Sequence, residues 1–441
     1  MSYVPNTPAE RDEMLLAAGK KSMEDLLTAI PQSVRLGRKL DIPAAKSELE
    51  VINALEAMAD KNKMYKTCFR GAGSYRHFIP SVVRHLAGRS EFVTAYTPYQ
   101  AEMSQGVLQA IFEYQTMICE LTGMDVSNAG VYDGAQAAAE AVAMFQERKR
   151  MKVFAAATVK PMTLEVIRTY CESAGTQLVV IPAKDGQTDL SALEAVLDES
   201  AACYYMEQPN FYGLVEDAGK TAEIIHAAGA KLIMGCYPTA LAVLKTPAEY
   251  GADAAVGEAQ PLGLPLSFGG PYLGFMAVKA EHTRRLPGRI VGQTADKDGR
   301  TAYVLTLQAR EQHIRREKAC SSICSNEALC ALTATIYCAA MGKEGLREAA
   351  EQCFAKAHYA AGQITAVQGF QFIHDGFFFN EFVTACPVEP DVLTAKLTEN
   401  NILGGLPVQV NGKNCILWCV TELNTKDEID ALTGILKEAV S

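Results

Sequence analysis

Three consecutive segments decide the fold: KLIMGCYP at residues 231–238, ADAAVGEAQ at 252–260 and PLGLPLSFGGPYLGF at 261–275. Each is a short run of apolar or small residues bounded by Gly, Pro or Asp, which is typical of buried strands. A helical turn separates the first two segments, and a glycine-rich loop precedes the last strand. The order is therefore strand, turn, helix, strand, glycine-rich loop and strand.

The same alternation continues upstream of these segments. Strands are predicted at Val153–Ala157, Gln177–Pro182 and Cys203–Glu207, with helices at Pro161–Ala174 and Glu216–Ala228. Short apolar strands between helices predict an α/β fold with a mainly parallel sheet and helices on both faces. Ligands of such sheets bind at the carboxyl ends of the strands. Four polar residues fall at these ends, namely Gln208, Asn210, Tyr237 and Gln260.

The parts outside the sheet suggest three domains. Residues 1–90 are predicted to be a helical N-terminal segment, and residues 91–320 the large doubly wound α/β domain. Residues 321–441 are predicted to be a linking helix and a smaller α+β domain. Residues 287–317 are expected to be loop-like and polar.

Composition excludes several classes of protein. The chain has 441 residues and a net charge of −10, so nucleic acid and a polybasic membrane contact are not expected. No apolar run is long enough for a bilayer, and the N-terminus has no apolar signal core. The 13 cysteines lack framework spacing, which favours buried thiols in the cytoplasm.

Three polar segments are candidate sites, each with an ordinary alternative. Tyr96, Tyr99, Gln100 and Glu102 crowd the start of a helix predicted to run to Leu121, and can line a pocket or form a capped surface. The loop at residues 68–78 carries glycines and cations, but such loops are often only solvated. The basic run at 310–318 can hold an anion or be a face balanced by its own glutamates. No His completes a metal set with Cys320 and Cys324, so buried helical thiols are expected instead.

The organisation resembles the PLP-dependent transferase fold type I, the aspartate-aminotransferase-like fold of pyridoxal-phosphate (PLP) enzymes. In that fold an Asp ending one strand pairs with the pyridinium nitrogen, a Lys after the next strand binds the aldehyde, and a helix N-terminus holds the phosphate. Here Tyr237 stands at the Asp position and Gln260 at the Lys position, and no Lys occurs between Lys245 and Lys279. Asp133 stands at the phosphate-binding helix. These three residues are interpreted as vestigial cofactor positions.

Longer segments resemble subunit 1, the alpha chain, of the two-subunit P-protein of the glycine cleavage system, a glycine decarboxylase. The matching segments span the whole chain: FRGAGSY (69–75), YTPYQAEMSQG (96–106), YQTMICELTG (114–123), QPNFYG (208–213), GEAQPLGLP (257–265), FGGP (268–271), PGRIVG (287–292) and REQHIRREK (310–318).

The resemblance implies a division of labour. A beta subunit carries the PLP lysine, and two alpha and two beta chains form a heterotetramer. Together they decarboxylate glycine, with PLP as electron sink, and pass the aminomethyl group to the lipoyl arm of H-protein. This chain holds no catalytic residue of its own and is not active alone. Tyr96, Tyr99, Gln100 and Glu102 are hypothesised to line the active-site wall or the lipoyl channel.

Two other functions stay open at this point. The first is a self-sufficient PLP-dependent decarboxylase or desulfurase, for which Lys279 is the nearest later lysine, although it ends a strand beyond the glycine-rich loop. The second is a non-catalytic scaffold that only docks H-protein.

Overall fold

The structure is a computed structural model that describes residues 5–93, 97–319 and 321–440. The chain divides into two units, residues 1–63 and 64–441. The domain boundaries predicted at residues 90 and 320 stay a prediction.

The first unit is helical. Its helices are α1 (Pro8–Ala17), α2 (Met23–Leu26) and α3 (Glu48–Ala59). Ser47 caps α3 in a reciprocal capping box with Glu50, which explains why this helix begins at Glu48.

The second unit contains the remaining described helices and all the described strands. The helices are α4 (Ser81–Ala87), α5 (Gln105–Thr122), α6 (Gly134–Phe145), α7 (Pro161–Ser173), α8 (Leu190–Val196), α9 (Ala218–Ala227), α10 (Gln312–Arg315), α11 (Ala328–Thr365), α12 (Pro390–Glu399) and α13 (Lys426–Val440). The strands are β1 (Thr67–Cys68), β2 (Val126–Ser127), β3 (Lys152–Ala156), β4 (Leu178–Ile181), β5 (Ala183–Lys184), β6 (Gln187–Thr188), β7 (Ala201–Gln208), β8 (Lys231–Cys236), β9 (Ala254–Glu258), β10 (Gly274–Val278), β11 (Ile290–Ala295), β12 (Thr301–Thr306), β13 (Glu381–Ala385), β14 (Ile402–Leu403), β15 (Leu406–Val410) and β16 (Lys413–Cys419).

The central sheet has seven strands in the order β2-β10-β9-β8-β7-β3-β4. The pairs from β4 to β9 are parallel, whereas β10 runs antiparallel to both β9 and β2. All eight residues of β7 are buried, and because successive side chains point to opposite faces, both faces of the sheet are covered. The predicted α/β fold with a mainly parallel sheet is confirmed.

A second, three-stranded antiparallel sheet lies near the C-terminus, in the order β13-β16-β15. Its core includes Trp418 and Phe382 packed with Ile429 of α13 and Ile364 of α11. Helix α11 is interrupted at Gly342 (φ 62°, ψ −177°).

Three local predictions are wrong. The predicted loop at 287–317 contains the hairpin of β11 and β12, which turns at Asp298-Gly299. Helix α5 begins at Gln105 instead of near Pro98, because the Gln105 side chain bonds the backbone of Tyr303 in β12 and anchors that position to the hairpin. Cys324 lies in a coil before α11 and not on a helix.

No helix within the described ranges is both long enough and apolar enough to cross a membrane.

Candidate functional site

The carboxyl ends of three parallel strands form the edge at which the sequence predicts a site. Gln208 is the last residue of β7, Tyr237 directly follows β8, and Gln260 lies just after β9. The start of α6 meets the same edge, since a Cβ added to Gly134 would lie 2.8 Å from the backbone nitrogen of Glu258. We call this edge, with the start of α6, the cradle.

A loop of the same unit, residues 69–78, covers the cradle, and we call it the strap. The amide of Gln260 bonds the backbone of Tyr75 twice, since Tyr75 N donates to Oε1 at 2.8 Å and Nε2 donates to Tyr75 O at 3.0 Å. Nε2 also donates to Leu264 O at 2.7 Å. Tyr75 is 4% exposed and Gln260 is 1% exposed. The position predicted to have lost its lysine therefore holds the strap in place.

The side chain of Tyr237 is also enclosed by the strap. Its ring lies 4.3 Å from the ring of Tyr75, centroid to centroid, at an interplanar angle of 32°. Its hydroxyl is hydrogen-bonded to Nε2 of His77, and Nδ1 of His77 lies 2.7 Å from Oε2 of Glu422. Burial raises the pKa of Tyr237 well above its ordinary value. The phenol is therefore a neutral member of a buried hydrogen-bond chain.

Glu381, on β13, ties the strap to the C-terminal sheet. Its carboxyl group accepts hydrogen bonds from the Tyr75 hydroxyl at 2.7 Å and from the Ala72 N–H at 2.6 Å. Burial raises the pKa of Glu381 above its ordinary value, although these two donors oppose the shift. The strap thus has polar partners on both of the surfaces between which it lies.

The N-terminus of α6 is bonded to carboxylates of the chain itself. Asp133 is the N-cap and accepts from the Gln136 N–H at 2.8 Å. Glu258 accepts three backbone N–H groups, those of Gly134 (3.0 Å), Gln260 (2.9 Å) and Leu273 (3.0 Å). Burial raises the pKa of Glu258 above its ordinary value, although the three N–H groups oppose the shift.

The cradle does not fit pyridoxal phosphate. The phosphate needs free N–H groups at the start of a helix, but those of Gly134 and Gln136 already bond to carboxylates. The pyridine ring needs the space that Tyr75 fills beside Tyr237 and Gln260. The aldehyde needs an amine at position 260, where an amide makes three hydrogen bonds.

A lysine does lie nearby, just before α7. Nζ of Lys160 is 3.2 Å from Oε2 of Glu207, whose same oxygen accepts the Lys160 N–H at 3.0 Å. Tyr205 donates to the other oxygen of Glu207 at 3.1 Å. Lys160 therefore belongs to a partly buried ion pair with Glu207 and not to the position after β9.

The residues predicted to form a wall lie before α5. Tyr96 falls outside the described residues. Gln100 and Glu102 are exposed, and Tyr99 is 60% exposed. The Tyr99 hydroxyl accepts from a terminal nitrogen of Arg289 at 2.8 Å, and the guanidinium carbon lies 4.6 Å from the centre of the Tyr99 ring. The wall role of these residues stays a prediction.

Tyr99 and the basic run meet at one cavity of about 50 Å³. We call it the Arg289 cavity; its lining includes Tyr99, Arg289, Arg310, Glu311, Ser321 and Cys324. At Cys324 the sulfur lies 3.7 Å from Nε2 of His313, a proximity that the sequence spacing does not predict.

The sequence did not predict several residues that contact the cradle or the strap. Glu258 lies inside the segment that decides the fold, but nothing in its spacing signals three backbone hydrogen bonds. Glu381 and Glu422 lie far away along the chain, in regions expected only to form the C-terminal domain. A glutamate in the apolar run FFFNEFV was the one available signal, because a charged residue in a buried strand needs a partner.

Comparison with known proteins gives a consistent result. The model of the glycine cleavage system P-protein family matches residues 1–436. The chain is 51% identical over 441 residues to the probable glycine dehydrogenase (decarboxylating) subunit 1 of Moorella thermoacetica, covering 99% of each chain. It is 48% identical over 444 residues to the protein of that name from Desulfitobacterium hafniense, covering 99% of this chain and 100% of the relative.

Solved structures show the same similarity. A crystal structure of glycine decarboxylase (P-protein) of the glycine cleavage system, in inhibitor-bound form, superposes with a TM-score of 0.92 at 43% identity, covering 99% of this chain and 100% of the other. The glutamate decarboxylase of Lactobacillus brevis has a TM-score of 0.69 at 12% identity, covering 94% of this chain and 97% of the other. The latter similarity supports the fold alone, which is the predicted PLP-type fold.

Proposed function

The chain belongs to the family of the glycine cleavage system P-protein. We propose that it is one subunit of a two-subunit enzyme, and that the partner subunit, not this chain, binds the cofactor. It is a subunit of the split form of glycine decarboxylase, and the designation of its relatives as subunit 1 implies a second subunit. In this proposal a beta subunit binds pyridoxal phosphate through its own lysine. Two chains of each kind form a heterotetramer in the cytoplasm.

The observation that carries the proposal is the filled cradle. Tyr75 lies against Tyr237 and Gln260, and the carboxylate of Glu258 bonds the start of α6. Opening such a site would break several buried hydrogen bonds at about 1–3 kcal/mol each. Binding of pyridoxal phosphate would not compensate for this loss of free energy, because the lysine and the aspartate that would hold the cofactor are absent.

The chain is proposed to contribute walls and not reacting groups. Tyr96, Tyr99, Gln100 and Glu102 are the residues we assign to the wall of the partner's pocket or to the channel for the lipoyl arm of H-protein. Glycine and lipoylated H-protein are the expected substrates. Support comes from the exposure of Tyr99 and Glu102, which leaves both side chains accessible to a partner.

A mixing assay tests the division of labour. Each purified subunit alone should release almost no CO2 from glycine in the presence of H-protein and pyridoxal phosphate, and the mixture should be active. Full activity of the beta subunit alone would favour a scaffold that only docks H-protein. Activity of this chain alone would contradict the proposal.

Chemical trapping tests the self-sufficient alternative. The chain is incubated with pyridoxal phosphate, reduced with borohydride and digested. We expect no pyridoxyl-lysine peptide, and in particular none at Lys160 or Lys279. A stoichiometric pyridoxyl-lysine at either residue would support a cofactor site within this chain.

A double variant tests the wall. Tyr96→Phe with Glu102→Gln should still assemble with the beta subunit, but turnover should fall by about tenfold or more, since positioning groups contribute at least that much to catalysis. Glu113→Gln is the matched control, because Glu113 is also exposed but lies further along α5. Equal turnover of the double variant and the control would remove the wall hypothesis.

A further inference from the structure

The Arg289 cavity contains a cation that no residue described by the structure neutralises. Two terminal-nitrogen hydrogen bonds hold the Arg289 guanidinium, one to the Tyr99 hydroxyl and one to the backbone oxygen of Cys324, both at 2.8 Å. Both acceptors are neutral. Among the described residues, no carboxylate forms an ion pair with Arg289, and its buried Nε has no hydrogen-bond acceptor.

A second guanidinium lines the same cavity. Arg310 donates to Gly288 O at 2.8 Å and to Leu307 O at 3.0 Å, so backbone carbonyls fix its direction. Among the described residues that line the cavity, Glu311 is the one carboxylate, and an oxygen of Glu311 lies 3.6 Å from Nε2 of His313. Two guanidinium groups and one carboxylate therefore line the cavity, and the open Nε of Arg289 is available to an oxyanion.

The backbone around the cavity is held in a costly conformation. Leu307, which also lines it, has φ 50°, in the left-handed region that a leucine rarely adopts. Residues held there cost about 1–3 kcal/mol each and cluster at binding sites. The strained residue also contacts the second guanidinium, since its backbone oxygen accepts from Nε of Arg310.

We propose that the Arg289 cavity binds a small oxyanion, a carboxylate or a phosphate group. Planar guanidinium groups pair with both kinds of oxyanion through parallel N–H bonds, in a way that chloride cannot reproduce. A cavity of about 50 Å³ has room for a head group and not for a whole nucleotide. The site lies outside the cradle and uses none of its residues, so it can be measured on the isolated chain.

Titration with inorganic phosphate and with acetate tests the proposal. Calorimetry is run on the full chain at constant ionic strength, with sodium chloride replacing the probe in the reference. We expect saturable binding of at least one probe and none of chloride. Tighter binding of phosphate would identify a phosphoryl ligand, and tighter binding of acetate a carboxylate ligand. Absence of saturable binding for both would overturn the proposal.

Three substitutions locate the site. Arg289→Gln should weaken binding by about tenfold or more, which corresponds to 1.4 kcal/mol or more. Arg289→Lys should weaken it less, because it keeps the charge but not the planar fork. The matched control is Arg285→Gln, since Arg285 is ion-paired with Glu147 and does not line the cavity. Equal affinity of Arg289→Gln and wild type would overturn the proposal.

A labelling experiment on the wild-type chain covers the case in which Arg289→Gln does not fold. Phenylglyoxal modifies arginine side chains, and peptide mass spectrometry reports the rate at each position. Phosphate or acetate should slow modification of Arg289 and Arg310 but not of Arg285. Equal rates with and without the anions would contradict the site, whatever the outcome of the glycine assays.

Discussion

The cradle and the Arg289 cavity differ in whether their polar groups find hydrogen-bond partners within the chain. Between the cradle, the strap and β13, the side chains of Gln260, Tyr75 and Glu381 are matched donor to acceptor within the chain. In the cavity, the guanidinium of Arg289 has only neutral acceptors among the described residues, and one of its nitrogens is unsatisfied there. A site that is closed can complete its own hydrogen bonds, whereas a site that receives a ligand must leave some of them open.

The largest expected effect on stability comes from adding a side chain at Gly213, which lies against the backbone of Glu381. Gly213 has φ 84°, and a Cβ there would lie 1.9 Å from the backbone oxygen of Glu381. Gly213→Ala should therefore lower the free energy of unfolding by about 3 kcal/mol or more, measured by urea denaturation. Gly412→Ala is the control, because Gly412 has φ 73° but no atom within 4 Å of the added Cβ, so only about 1 kcal/mol is expected.

The next test attempts to reopen the cradle. Gln260→Lys restores an amine at the position after β9, but it removes the bonds of the amide to Tyr75 and Leu264. We expect a loss of about 2–4 kcal/mol in the free energy of unfolding and no pyridoxyl-lysine after treatment with pyridoxal phosphate and borohydride.

Gln109→Lys, at an exposed position of α5, serves as the control for both readouts. Efficient cofactor attachment at position 260 would mean that the strap is easily displaced. The contrast between a closed and an open site would then be lost.

A smaller effect concerns the pH dependence of stability. Burial raises the pKa of Glu381 above its ordinary value of 4.5, so the folded state favours the protonated carboxyl group. The stability contributed by this preference is fully present below the unfolded pKa and is lost as pH rises through the folded pKa. Glu381→Gln stays neutral, so its stability relative to wild type should improve as pH rises above 4.5. Urea unfolding at a series of pH values measures this, and a relative stability that falls with pH would contradict a raised pKa.

The smallest effect is expected at the exposed side of the cavity. Tyr99→Phe removes the hydroxyl that accepts from Arg289 but keeps the ring beside the guanidinium. Because Tyr99 is 60% exposed, the loss of unfolding free energy should be below about 1 kcal/mol. Phosphate or acetate binding should persist. Abolished binding with intact stability would show that the anion is held by the phenol and not by Arg289.

The sequence predicted correctly those elements whose stability depends mainly on neighbouring residues. The parallel strands were predicted from their apolar runs, because a buried strand is recognisable from its own consecutive residues. The start of α5 was missed because Gln105 is held by a strand almost two hundred residues away. The hairpin of β11 and β12 was missed although the dipeptide Asp298-Gly299 signals such a turn.

The sequence by itself determined the alternation of strands and helices and the absence of an aspartate and a lysine at the two expected positions. Only the tertiary structure decided what replaced them. Tyr237 meets His77 from 160 positions away, and Gln260 meets the backbone of Tyr75 from 185 positions away. The physical reason is that hydrophobic periodicity is a property of neighbouring residues. A buried polar group, in contrast, is satisfied by whichever distant segment the packing of the core brings within hydrogen-bond distance.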